Sequence, residues 1–380
     1  MRRCKKIRAL AVVAGLLMTL PGFAQQIKLM SYNIGSSDWV GNRDSVIARV
    51  EFNDPDVFCA IEATQSTRPY LESSLSGYAI LQTFGGSPNL SESHIFYRKG
   101  MFTVADSGYS LMPTYVGYTG PARYVNWAQF QHSSSSEKFL VYASHFVYPG
   151  GPNTDSATIA QYRHADGMIQ LMSQHLPLNI PLITVGDYNA DSSKAVMQYL
   201  LHQTPITYNS ITITNPIDLN DAWYVANPST QKPPTISAGL GKIDWILTSS
   251  GTNGLSASID DQGVNGSGVY PSDHLPLMIT FDFSAVTSTV KIDALAYTRV
   301  FPNPFSGLTT ITYHIPEAGN VKLTVYNHMG AEITTLVNEA QLEGKHSMEW
   351  IAASLAPGIY FCKLKFNSSI IETLKLIVIR

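Results

Sequence analysis

From Ile27 to Phe283 the chain alternates apolar, β-branched runs of strand length with longer amphipathic stretches, whereas from about Tyr297 only the short runs continue. That change of texture limits the possible folds more than any other property of the sequence. Strands are expected at 28–34, 56–62, 93–98, 123–131, 138–146, 181–189, 242–247 and 275–283, from runs such as KLMSYNI, DVFCAIE and PLITVGDYN. Helices are expected at 44–52, 158–175 and 192–202, with Asp44 and Ser192 as N-caps. Apolar strands need cover on both faces, so this alternation predicts a four-layer α/β sandwich, two packed β-sheets flanked by helices. The strands after 297, separated by Gly, Pro and Asn turns, predict a small C-terminal all-β sandwich. The expected division is a signal peptide at 1–24, a chemistry-bearing domain at 25–283, a linker at 284–297 and the β-sandwich at 298–380. The serines at 133–136 read as a solvated hairpin loop between two strands.

Charge follows the same division. The formal net charge of −3 is the sum of +5 over residues 1–24, −9 over 25–283 (12 basic against 21 acidic residues) and +1 over the rest. Residues 1–24 hold Arg2, Arg3, Lys5, Lys6 and Arg8, then an apolar run from Ala9 to Leu20, then Pro21-Gly22-Phe23-Ala24. This is the tripartite pattern of a secretory signal cut after Ala24. The run is shorter than the roughly 20 residues that span a bilayer. Export is therefore expected, without a helical anchor. Cys4 leaves with the signal, and Cys59 and Cys362 are expected to be buried free thiols in different domains. No Lys/Arg cluster stands in 27–283, which argues against tight, processive binding of duplex DNA.

Five segments of the first domain place a polar residue at the C-terminal end of an apolar strand: Asn33 in SYNI, Glu62 in AIEATQ, His145 in ASHF, Asp187 with Asn189 in GDYN, and Asp273 with His274 in SDHLPL. Singly, each is an ordinary turn or cap residue. Together, strand ends of stacked sheets converge on one edge, where carboxylates repel one another unless a cation neutralises them. The carboxylate and amide oxygens suit Mg²⁺, Mn²⁺ or Ca²⁺ and not zinc. There is no HExxH, GxSxG or Walker loop.

SYNI, the Glu of AIEATQ, the SHF histidine, GDYN, KIDWIL and SDHLPL occur in an order and rough spacing that resembles the endonuclease/exonuclease/phosphatase superfamily, over residues 27–283. The resemblance implies a metal-dependent phosphoric ester hydrolase. By it, Asn33, Glu62 and Asp273 form the metal side, with Glu62 the principal ligand. Asp187 and Asn189 position the attacking water and the phosphoryl oxygens. His274 is general base or phosphate-polarising group, oriented by Asp244 of KIDWIL, and His145 faces the phosphate, where abasic-site endonucleases carry a tyrosine. Asp244 could alternatively pair with Lys242 at the rim. Arg163 resembles an arginine that braces the site, Arg123, Asn126 and Trp127 lie on a strand that runs close to it in relatives, and Asp221–Trp223 resembles a segment packed beneath it. Deoxyribonuclease I pairs its phosphate-facing histidine with a glutamate; whether Glu92 takes that place is open.

FPNPF, the VYN turn and LAPGIYF resemble the C-terminal sorting domain of type IX secretion cargo, over 298–380. The resemblance implies passage through the periplasm of a Gram-negative bacterium and release outside or display on the cell surface, with the type IX machinery as partner. The expected protein is a monomer that hydrolyses a phosphodiester, nucleic acid in the first place. The alternatives are a sphingomyelinase-like phospholipid phosphodiesterase, a phosphomonoesterase, or a non-catalytic surface or adhesion protein. A lipid enzyme would need an exposed apolar finger, for which 111–118 and 146–148 are the candidates.

Overall fold

The computed structural model describes residues 26–282 and 298–379, except 36–38, 65–66, 86–92, 116, 136, 151–153, 209–210, 229–233, 238–240, 250–251, 264–269, 302, 304, 316–317, 353–354 and 368. The expected signal peptide, the linker and Glu92 lie outside the described residues. The chain divides into two compact units, Met1–Thr287 and Ser288–Arg380.

In the first unit the order is β1 (Gln26–Asn33), α1 (Trp39–Asn53), β2 (Val57–Ile61), α2 (Arg68–Ser74), β3 (Tyr78–Ile80), β4 (Ser93–Arg98), β5 (Phe102–Leu111), β6 (Tyr124–His132), β7 (Lys138–His145) and α3 (Thr154–Ser173). It continues with β8 (Leu182–Asp187), α4 (Ala195–Leu200), a hairpin of β9 (Ile206–Tyr208) and β10 (Ile211–Ile213), β11 (Leu219–Asp221), α5 (Ala222–Ala226), β12 (Asp244–Ser249), β13 (Asn253–Ile259) and β14 (Leu277–Asp282). Two six-stranded sheets result, ordered β13-β14-β1-β2-β4-β3 and β11-β12-β8-β7-β6-β5. Each is mixed, with one parallel pair, β1/β2 in the first and β7/β8 in the second.

The sheets meet face to face through Leu29, Val57, Cys59 and Ile95 on one side and Phe130, Phe139, Val141 and Val185 on the other. The outer face of the first sheet is closed by Val46 and Val50 of α1 and Leu71 of α2. The outer face of the second is closed by Met168 and Met172 of α3 and Val196 of α4. This explains why β2 and β7 read as unbroken apolar runs: covered on both faces, they have no solvent side to fill with polar residues. By contrast β5, at a sheet edge, carries the polar run ADSGYS and gave no strand signal.

Neither expected helix cap forms. Helix α1 begins at Trp39, so Asp44 lies within it, and its carboxylate takes the Tyr70 hydroxyl. Helix α4 begins at Ala195 behind Lys194, and Asp191 closes the preceding turn by accepting from the Ser193 N–H at 2.8 Å.

The second unit holds β15 (Thr298–Phe301), β16 (Leu308–Ile315), β17 (Gly319–Asn327), β18 (Glu332–Gln341), β19 (Gly344–Ile351), β20 (Gly358–Phe366) and β21 (Ser369–Val378). They form antiparallel sheets ordered β15-β16-β19 and β18-β17-β20-β21. Ile311, Tyr313 and Trp350 of one pack with Leu323, Val325 and Leu364 of the other. Cys362 here and Cys59 in the first unit are buried. Among the described residues no helix is long and apolar enough to cross a membrane.

His164 on α3 is fully buried, and neither ring nitrogen has a hydrogen-bond partner among the described residues. Burial, reinforced by Arg123, Arg163 and His145, lowers its pKa to about 3. Unfolded, the ring titrates near ~6.5. Between these values the unfolded chain binds a proton that the fold refuses, so this contribution to stability is complete above pH ~6.5 and is lost as pH falls. In urea melts from pH 8 to 4, His164→Leu is expected to flatten the acid loss of stability by up to about 1.4 kcal/mol per pH unit. An unchanged slope would refute the assignment.

Candidate active site

Strand register builds the first half of the site. His145 ends β7 beside Asp187 at the end of parallel β8, and Asp187 in turn faces Asp244 at the start of antiparallel β12. Three ionisable side chains therefore stand in a row on one sheet edge. Across the interior, Asn33 ends β1 opposite Ile61, the last residue of β2, and Glu62 follows. Glu62 and Asn189 both adopt left-handed backbone, with φ of 62° and 51°, uncommon for residues with a Cβ and found where a side chain must be aimed.

Hydrogen bonds join the two edges. Asn33 Nδ2 donates to Glu62 Oε1 and to Asp187 Oδ2, each at 3.1 Å, while Asn33 Oδ1 accepts the Gly35 N–H at 3.1 Å. The asparagine thus turns its nitrogen to the carboxylates and commits its oxygen to the backbone. His274 enters from the loop before β14: Nδ1 lies 2.8 Å from Asp244 Oδ2, and Nε2 lies 3.7 Å from Asp187 Oδ2 and 3.4 Å from Asn33 Nδ2. That loop is fastened by Ser272, whose hydroxyl donates to Asn33 O at 2.8 Å and accepts the His274 N–H at 3.1 Å. Thr235 Oγ1 likewise accepts the Asp244 N–H at 3.0 Å.

Asp244 is buried and belongs to His274. Lys242, the alternative partner, instead meets Asp221 Oδ1 at 3.3 Å and lies over the Trp245 ring. Asp221 also caps α5 by accepting the Trp223 N–H, which makes the DAW segment structural. Asp273 is exposed; its Oδ1 is 3.5 Å from Ser272 Oγ, and it lies outside the groups whose ligand atoms converge. Those groups are Glu62, His145 and Asp187, and Asp187, Asp244 and His274, each with all ligand atoms within 4.8 Å of one another. Arg163 is half-buried on α3, where its charge bears on His164 and Tyr208. Trp127 is partly buried against the helix-side core, and Asn126 ties β6 to its neighbours by donating to Ser93 O at 2.7 Å and accepting from Gly85 N at 2.6 Å.

Arg123 is the residue that sequence reasoning placed nearby without a role. It is buried, and Nη1 lies 3.1 Å from His145 Nδ1. The signals for it were its position at the start of an apolar strand and the resemblance, which runs that strand close to the site.

The charges are strongly coupled. Burial and the neighbouring Asp244 raise the Asp187 carboxyl above its ordinary range, against His145, His274 and the Asn189 N–H. Burial works to lower the His274 pKa, but the charge and hydrogen bond of Asp244, with Asp187 and Asp273 behind them, outweigh it and hold the ring well above its ordinary value. His145 is driven the other way, to about 4, by burial and then by Arg123. A site with one cationic and one neutral imidazole among carboxylates can polarise an anionic ester. Its donor set also fits a hard divalent cation, because Glu62 and Asp187 are oxygen donors within a group whose ligand atoms lie within 4.8 Å.

The endonuclease/exonuclease/phosphatase family matches residues 30–274. The chain belongs to that family. Solved structures agree on the fold: an endonuclease/exonuclease/phosphatase family protein from Bacteroides thetaiotaomicron is 17% identical with a TM-score of 0.55, covering 69% of this chain and 96% of its own. A mannosyl-6-phosphatase of the same bacterium is 17% identical (TM-score 0.54; 68% and 100% covered), and the human Nocturnin catalytic domain with bound sulfate is 19% identical (TM-score 0.52; 68% and 95%). No curated protein matches the sequence. The secretion system C-terminal sorting domain matches residues 299–380 and addresses the chain to the cell surface or the outside. This family member is therefore an exported phosphoesterase with the fold of the metal-dependent phosphoester hydrolases and a buried His/Asp cluster.

Gly186 sits where β7 and β8 approach closely beside Asp187: a Cβ there would stand 1.8 Å from Ser144 O, and its φ is +153°. Gly186→Ala is expected to cost about 3 kcal/mol in denaturant melts. A loss below 1 kcal/mol would show that the strands yield easily.

Proposed function

We propose that this protein is a secreted, divalent-metal-dependent phosphodiesterase that hydrolyses extracellular nucleic acid. The observation that carries the reading is the set at one edge, buried Asp244 with His274 at 2.8 Å, and buried Asp187 with partly buried Glu62 beside Asn33. Glu62 is the principal carboxylate for the cation, with Asp187 in reach, Asn33 orienting both and Asp273 adding negative charge from the rim. A bound cation would supply positive charge to the phosphoryl group as it passes through its crowded transition state. His274, protonated and oriented by Asp244, donates from Nε2 to a phosphoryl oxygen. Asp187 and Asn189 orient the attacking water. His145, whose Nε2 lies 3.6 Å from Asp187 Oδ2, faces the phosphate.

Nucleic acid is favoured over lipid by the aromatic rim. Tyr124, next to Arg123, meets the half-exposed Tyr109 edge to face at 6.1 Å, a surface suited to base stacking. Among the described residues of the two candidate lipid fingers, Met112, Phe146 and Val147 are buried, whereas Leu111 and Tyr148 are strongly exposed. The acidic charge of the domain fits transient capture of substrate.

The test is the full chain incubated with plasmid DNA, RNA, sphingomyelin, a chromogenic phosphodiester and a chromogenic phosphomonoester, with Mg²⁺, Mn²⁺, Ca²⁺ or a chelator. Metal-dependent cleavage of nucleic acid is expected. Lipid or monoester cleavage without DNA or RNA nicking would reassign the substrate, and hydrolysis of none would sink the enzyme reading. Glu62→Ala and His274→Ala are each expected to lower kcat by about 10³-fold or more with the melting temperature preserved; near-normal turnover by either refutes its role. For the tail, deletion of 298–380 is expected to hold the protein in the periplasm, and unchanged surface delivery would contradict the sorting role.

A further inference from the structure

Strands β7 and β8 leave their sheet side by side, and a side chain of α3 takes over where their pairing stops. The last ladder bond runs from the Phe146 N–H to Asp187 O at 2.9 Å, one residue past His145. Beyond it, Gln161 Nε2 lies 3.1 Å from Val147 O, 3.0 Å from Tyr188 O and 3.2 Å from Asn189 O, and the residue is buried. Carbonyl oxygens only accept, so the end of the glutamine that meets them is its NH2 group. Turned round, the amide would set an oxygen against three oxygens. One side chain thus holds the exits of both strands, Val147 after β7 and Tyr188 with Asn189 after β8.

What the amide holds is the turn that aims Asn189. The backbone there is left-handed, with φ of 51°, a conformation that persists in a residue with a Cβ only where its surroundings impose it. Three of those surroundings are visible. The Asn189 N–H donates to Asp187 Oδ1 at 2.8 Å, Asn189 Nδ2 donates to Phe146 O at 3.0 Å and lies 3.1 Å from His145 Nε2, and Gln161 holds the Asn189 carbonyl from the helix layer. A glutamine in an amphipathic helix reads as solvent-facing. Here it stands instead on the buried stripe of α3, with Ala157, Ala160 and His164.

We propose that Gln161 is a positioning residue that clamps the exits of β7 and β8 to α3 and so fixes how His145 and Asn189 present themselves to the phosphoryl group. It acts through those two residues and touches no reacting atom. The proposal rests on the phosphodiesterase reading for its substrate, while the clamp itself can be measured without any turnover. Without the NH2 group the three carbonyls lose this donor and the left-handed turn relaxes, which moves the Asn189 amide. Glu62 and His274 stay where Asn33 and Ser272 fasten them. A displacement of about 1 Å at one group of a preorganised set is enough to cost about 10²-fold in rate.

The test uses the full chain with ¹⁵N-labelled glutamine and asparagine side chains, Gln161 being assigned through Gln161→Glu and Asn189 through Asn189→Ala. In the wild type the Gln161 NH2 protons are expected to exchange with solvent as slowly as core backbone amides. Exchange at the rate of an exposed glutamine overturns the clamp whatever the variants do. Gln161→Met, which keeps the volume and has no donor, and Gln161→Glu, which keeps the shape and loses the NH2 group, are each expected to shift the Asn189 side-chain signal. Each should also lower kcat on bis(p-nitrophenyl) phosphate with Mg²⁺ by about 10–100-fold, the range for residues that orient those at the site. KM should change much less, because what is lost is an alignment needed in the transition state. Met172→Ala, on the same helix but in the core behind the sheet, is expected to lower the melting temperature with the Asn189 signal and kcat unchanged. An equal loss of kcat in Met172→Ala would leave Gln161 a role in stability alone and overturn the proposal, as would Gln161 variants with the wild-type Asn189 signal and kcat. Should Gln161→Met fail to fold, the wild-type exchange rate and Gln161→Glu still decide. Hydrolysis of no ester by the wild type, alongside slow Gln161 exchange and an Asn189 signal that answers to the variants, would sink the functional reading and leave the clamp standing.

Discussion

Three carboxylates, those of Glu62, Asp187 and Asp244, are brought together where the ends of two sheets meet, and most of the site's other features answer that crowding. Like charges so close are costly to bury. Part of the cost is met by donors: Asn33 gives both N–H bonds to two of the acids, and His274 bonds the third. Part is met by the buried Arg123 guanidinium, attracted by Glu62 and Asp187. What is left is a negative field suited to a hard cation, the condition for chemistry on a phosphoryl group.

The scaffold makes this crowding possible through β-sheet register. Because β7 and β8 are parallel and β12 antiparallel to β8, a one-residue slip in any pair would turn His145, Asp187 or Asp244 to the opposite face. Gly186 permits the close approach of β8 to β7 immediately before Asp187. The loop carrying His274 is pinned to β1 through Ser272 and to the segment before β12 by the Leu275 N–H, which donates to Thr235 O at 2.7 Å, while Thr235 Oγ1 accepts the Asp244 N–H, so the second sheet and the loop are held to one geometry. Such over-determination is what a preorganised site requires.

The legible part of the fold was whatever rested on period and burial. Strands covered on both faces, such as β2, β7 and β8, gave unbroken apolar runs, and α3 gave a clear amphipathic one. The edge strand β5 was invisible because edge exposure admits polar residues, and the caps at Asp44 and Ser192 were misplaced because local capping signals yielded to packing. At the site, residue types at strand ends singled out Asn33, Glu62, His145, Asp187, Asn189 and His274, while Arg123 had no such mark.

The sequence by itself determined the two-part division, the strand-and-helix alternation and which side chains stand at strand ends, since each of these depends on composition or on spacing within a few residues. Only the tertiary structure decided the pairings: Asp244 with His274 and not Lys242, Arg123 with His145, and the Asn33 amide turned nitrogen-first to Glu62 and Asp187. The physical reason is distance along the chain. Asn33 and Asp187 are 154 positions apart and Asn33 and His274 are 241. No local periodicity reports on such contacts, which exist only once the two sheets have packed and brought donors within reach of acceptors.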